Sequence, residues 1–123
     1  ATKLQELNLS RNQIEVLPKE IGYLKKLRVL GLESNLIKNI LFPIENLRKL
    51  EKLELSYNQI QTLPSGLYFL FKLNELSLRF NQITEIAPEI ENLKELTSLG
   101  LSGNLLKDIP TQIGKLTNLR TLE

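Results

Sequence analysis

Apolar residues recur along this chain in two alternating rhythms. Leu7-Asn8-Leu9, Leu30-Gly31-Leu32, Leu53-Glu54-Leu55, Leu76-Ser77-Leu78 and Leu99-Gly100-Leu101 each alternate apolar and polar positions. A period of two residues predicts a short strand with one buried face. Between these stretches the apolar residues are spaced by three or four, as in Leu17, Ile21, Leu24 and Leu27. That spacing predicts a 3₁₀ or short helical segment on the opposite side of the fold. Pro18, Pro64 and Pro110 stand at its start, where a missing N–H costs little.

The two rhythms belong to one longer period. Leu4, Leu27, Leu50, Leu73, Leu96 and Leu119 are each 23 residues apart, and so are Asn12, Asn35, Asn58, Asn81 and Asn104. Five full units and a sixth strand fill residues 1–123, which predicts a single domain. One unit of this length cannot bury its own leucines. Stacked units can, because equivalent strands pair about 4.8 Å apart into a parallel sheet. The expected architecture is therefore an α/β-type solenoid. The asparagine column fits the turn leaving each strand, where an amide both donates to and accepts from the backbone of neighbouring coils. Repeats two and four depart from the unit: in Ile40-Leu41-Phe42-Pro43 and Ile86-Ala87-Pro88 the proline is displaced by two positions and by one. Locally altered convex segments are expected there. Neither end shows a polar cap, which predicts a trimmed chain or one that covers its ends by self-association.

Composition removes many chemistries. The chain holds no His, Cys, Met or Trp. Thiolate nucleophiles, disulfides, imidazole-based acid–base pairs and Cys/His metal sites are thereby excluded. No cofactor or metal is expected, and no enzyme activity. A formal charge of +2 is too small to imply an electrostatic footprint for nucleic acid or membrane. The longest apolar run, Leu67–Phe71, is far below the roughly 20 residues that cross a bilayer, so no membrane insertion is expected.

The phrase Leu17-Pro18-Lys19-Glu20-Ile21-Gly22-Tyr23-Leu24, repeated in variants across the chain, is similar to the 23-residue units of bacterial, spirochaete-type leucine-rich repeat (LRR) proteins. The resemblance implies a right-handed curved solenoid with the parallel sheet on its concave face and 3₁₀ segments on its convex face. It also implies macromolecular binding, with a host protein among the candidate partners, and a secreted or surface location on a bacterium.

With leucines pointing inward, the intervening residues map onto the concave face. The end repeats present small polar residues there, including Ser10, Ser98 and Gly100, whereas the middle repeats present Val29, Glu33, Lys52, Glu54, Ser56, Tyr57, Glu75, Arg79 and Phe80. Tyr57 and Phe80 share one column, which fits either a contact site or mutual packing. Lys52 is expected beside Glu75, and Glu54 diagonal to Arg79. On the convex side Leu41, Phe42, Tyr68, Phe69 and Phe71 fit either a second contact patch or rings folded back over the convex core. The leading expectation is a non-catalytic module that binds a protein partner through the concave sheet of repeats two to four. Homo-oligomerisation through open ends or through the convex patch is the competing one.

Overall fold

The computed structural model describes residues 3–123. Among them six strands form one parallel sheet in chain order: β1 (Glu6–Asn8), β2 (Val29–Gly31), β3 (Lys52–Glu54), β4 (Glu75–Ser77), β5 (Ser98–Gly100) and β6 (Thr121–Leu122). Each strand pairs with the next in the register of the repeat, as Leu7 with Leu30 and Leu30 with Leu53. A 3₁₀ segment lies between successive strands on the far side of each coil: Lys19–Tyr23, Ile44–Asn46, Ser65–Phe69, Pro88–Asn92 and Thr111–Lys115. Packing between elements runs only between adjacent coils.

The core is a stack of leucine rungs. Leu27, Leu30, Leu50, Leu53, Leu73, Leu96 and Leu99 are wholly buried, and Ile37, Ile60 and Ile83 close each coil beyond the strand. Each such side chain contributes roughly 2 kcal/mol of burial, against the cost of ordering its coil. The inward turn is held by asparagine. Asn58 donates its amide to the carbonyls of Leu32, Leu55 and Ser56, and its Oδ1 accepts the Ile37 N–H. Asn35 and Asn81 repeat the pattern one coil earlier and later, and Asn104 accepts the Ile83 N–H. Each of these four ties its own coil to the preceding one. Asn12 is exposed and, among the described residues, its amide bonds only the Leu9 and Ser10 carbonyls of its own coil.

Displaced prolines act differently in repeats two and four. Pro43 disfavours a helical conformation at Phe42. The second 3₁₀ segment therefore starts at Ile44 and keeps three residues, where the other four have five. Phe42, aligned with exposed Lys19 and Ser65, turns into the core and is 3% exposed. It is thus not part of an exposed convex patch. Pro88, by contrast, occupies the first position of a full-length segment, where no N–H is needed, so repeat four is not shortened. Tyr68 is also corrected from patch to core: its ring is buried and its hydroxyl accepts the Ala87 N–H at 3.1 Å. Burial raises the phenol's pKa above its ordinary value, partly offset by the Ala87 hydrogen bond.

Two outcomes follow from this packing. Asn58→Leu leaves donors and acceptors of two coils unpaired and should destabilise by about 3 kcal/mol at 1–3 kcal/mol per group, whereas Asn12→Leu should cost less than about 1 kcal/mol. Urea unfolding of both variants checks this, and equal losses would contradict the inter-coil role. Tyr68→Phe strands the Ala87 N–H and should cost about 1 kcal/mol at neutral pH. Because folding raises the Tyr68 pKa, its stabilisation is complete below the unfolded value and is lost as pH rises through the folded one. The gap between wild type and Tyr68→Phe should therefore narrow above about pH 10, measured by thermal melts across that range.

Candidate binding face

Register alone sets the outward columns of the sheet. In each strand the middle leucine points in, so its two neighbours point out. One column runs Glu6, Val29, Lys52, Glu75, Ser98, Thr121, and the other contains Asn8, Gly31, Glu54, Ser77 and Gly100. Lys52 sits at their centre, its Nζ 3.2 Å from Glu54 and 3.4 Å from Glu75. The Glu54 hydrogen bond and charge, then those of Glu75, raise the pKa of its ammonium. Val29 and Glu33 are half-buried, and Glu33, Glu54 and Glu75 line a shallow recess of about 270 Å³ across these strands.

Arg79 does not meet Glu54, as the diagonal spacing suggested. Glu54 is already engaged by Lys52 on its own strand face. The Arg79 side chain instead extends over Gly100, where a Cβ would stand 2.9 Å from its Cγ. Its Nε donates to Ser102 Oγ at 3.1 Å, and its guanidinium lies 3.7 Å from Glu123. Ser56 is a further correction: it is buried, its hydroxyl bonded to that of Ser77 and accepting the Arg79 N–H. On the flank, Arg28 grips Glu51 with two hydrogen bonds of 2.8 and 3.1 Å, which holds the Glu51 carboxyl below its usual pKa.

The Tyr57–Phe80 column has a backbone feature that the spacing did not reveal. Arg11, Ser34, Tyr57 and Phe80 have φ of 57–61°, and Gly103 follows at 76°. This is the left-handed region, unfavourable for residues that carry a Cβ. Inter-coil hydrogen bonds hold it, Tyr57 N–H donating to the Arg79 carbonyl and Phe80 N–H to that of Ser102. The two rings leave the rim of the sheet stacked at 4.7 Å, with planes 15° apart, yet 51% and 42% exposed. Phe80 rests on Gly103, where a Cβ would come within 2.5 Å of its ring. Arg79 stands 5.5 Å from the Phe80 centroid, adding a cation–π contact. The lone glycine in an otherwise side-chain-bearing column was the available sequence signal for this seat.

Elsewhere, Leu41, Phe69 and Phe71 of the convex side are more than half exposed. A depression of about 680 Å³ runs along the edge where coils enter the strands and mixes Glu51, Lys72, Glu95 and Arg120. Among the described residues no group of three or more His, Cys, Asp or Glu is placed to hold a metal. No described helix is long and apolar enough to cross a membrane. What the sheet offers is contact area: a flat charged centre beside an exposed aromatic pair.

Known proteins share this architecture. A family profile of leucine-rich repeats in two copies matches residues 71–112, and a single-repeat profile matches 3–24 and 49–70. A leucine-rich repeat protein of Leptospira interrogans is 42% identical, with a TM-score of 0.94, over 98% of this chain and 31% of its own. An internalin of Listeria monocytogenes is 32% identical with a TM-score of 0.82, over 98% of this chain and 41% of its own. The ectodomain of the Arabidopsis thaliana receptor kinase GASSHO1/SCHENGEN3, in complex with Casparian strip integrity factor 2, is 43% identical with a TM-score of 0.90, over 98% of this chain and 15% of its own. The chain thus spans less than half the length of each. Among curated protein sequences there is no significant match. With its coils of 23 residues, its asparagine staples and a likeness that runs along nearly all of it, the chain belongs to the leucine-rich repeat family.

Proposed function

We propose that this chain is a non-catalytic protein-binding module whose contact face is the concave sheet of repeats two to four. The fold generally serves protein–protein interaction, as in internalins and receptor ectodomains. The complex of the plant receptor ectodomain with Casparian strip integrity factor 2 supports carrying that role to this chain. A partner met outside the bacterial cytoplasm, a host protein among the candidates, is part of the same reading.

The observation that carries it is the Tyr57–Phe80 stack. Aromatic and arginine side chains dominate binding hot spots, because they bury large area at low entropic cost. Here both rings are held by each other and by left-handed backbone, so little freedom remains to lose on binding. Arg79 adds a cation at the same rim. Lys52, Glu54 and Glu75 form a fixed polar centre beside it, suited to setting register and excluding wrong partners. Carboxylates bound to a lysine on an open sheet lack the enclosed pocket that acid–base chemistry requires.

Immobilised wild type, Tyr57→Ala, Phe80→Ala and a convex control, Phe69→Ser, separate this face from others. A protein captured quantitatively by wild type and by the control should fall by at least roughly tenfold with either concave variant, as expected for a hot-spot residue. Circular dichroism should be unchanged and stability reduced by no more than about 1.5 kcal/mol, the value of an aromatic pair. Undiminished capture by both concave variants would overturn the assignment.

A further inference from the structure

We propose that the corner of the solenoid following each 3₁₀ segment docks on an anionic lipid bilayer, with Phe69 and Phe71 entering its apolar layer. This is separate from the concave face and does not rest on its reading.

The fold gathers there what the sequence disperses. Two columns of the repeat meet at this corner. They hold Lys25, Arg48, Phe71 and Lys94, and beside them Lys26, Lys49 and Lys72. The same tight turn presents the first column in repeats one and three, Lys25 N–H donating to the Tyr23 carbonyl and Phe71 N–H to that of Phe69. All six cations are exposed, and none forms an ion pair among the described residues. Glu95 is the one carboxylate in those columns among the described residues. Glu91, in the adjacent 3₁₀ segment, is paired with Lys115 at 3.6 Å, and Glu45 lies in the space left open by Gly66. Lys25, Asn46, Arg48 and Lys49 line a recess of about 310 Å³ with no acidic group in its wall, chemistry suited to a phosphate headgroup.

Phe69 and Phe71 decide between occupants. They are 56% and 54% exposed and meet edge to face at 6.0 Å, two protruding rings with no polar atom to satisfy water. Tyr23, in the column of Phe69, is equally exposed. A soluble polyanion would neutralise the lysines but leave the phenylalanines uncovered. A protein groove would have to enclose a ridge on the convex side of the coils, whereas a bilayer deforms around protruding rings and supplies both headgroup charge and apolar depth. Basic residues near an anionic leaflet are attracted within a Debye length. On the sheet face Glu33, Glu54 and Glu75 stand together with Lys52 and Arg79, a mixed set that gives an anionic leaflet no comparable hold. The net charge of +2 conceals the clustering of cations at the corner.

Vesicle co-sedimentation tests the proposal with the intact chain, using phosphatidylcholine alone or with about a third phosphatidylserine. Wild type should partition at least roughly tenfold more strongly onto the anionic vesicles, and raised salt should reverse it. Phe69→Ser/Phe71→Ser and, separately, Lys25→Glu/Lys49→Glu should each lose roughly tenfold, in line with one apolar and one electrostatic contribution. Tyr57→Ala, on the far face, should bind vesicles as wild type does, which keeps this result distinct from any outcome at the concave sheet. Equal partition onto neutral and anionic vesicles would overturn the proposal. So would phenylalanine variants that bind as wild type does, since that outcome describes a plain polyanion site.

Discussion

No coil of this protein can keep its own leucines from water. Each rung of Leu27, Leu30 and Leu32 is dry only because the next rung lies over it. The hydrogen-bonding groups obey the same rule, since strand pairing and the asparagine amides run from coil to coil. Stability is therefore close to a sum of nearest-neighbour interfaces. This constraint also makes the surface legible, because residues 23 positions apart become neighbours about 4.8 Å apart.

Given that lattice, individuality resides in the columns that the core does not claim. On the sheet side the columns bring Lys52 between two glutamates and set Tyr57 against Phe80. At the corner that leads into the strands they bring lysines and two phenylalanines together. One surface mixes both signs of charge, whereas the other is dominated by cations. A rigid sheet that presents aromatic side chains with little freedom left to lose suits recognition of a partner, and a basic corner with protruding rings suits adhesion.

Glycines mark places where one coil yields space to a side chain of another. Gly103 provides the seat for Phe80 through its missing Cβ, while its left-handed φ is shared with the side-chain-bearing residues of the same column. Gly100 lets Arg79 cross the sheet towards Ser102 and Glu123. Neither is a matter of local flexibility. Each is complementarity between residues 21 to 23 positions apart.

Periodicity by itself determined the solenoid, its parallel register and the inward leucine and asparagine columns, because alternation along a strand follows from backbone geometry alone. It also placed Lys52 beside Glu75 and aligned Tyr57 with Phe80. Only the tertiary structure decided that Phe42 and Tyr68 belong to the core, that Ser56 is buried, and that Arg79 pairs forward with Glu123 rather than back with Glu54. The same is true of the left-handed turn beneath the aromatic pair. The physical reason is reach: an inward or outward direction is set within a few residues of backbone, whereas the resting place of a long side chain depends on the space left by coils above and below it.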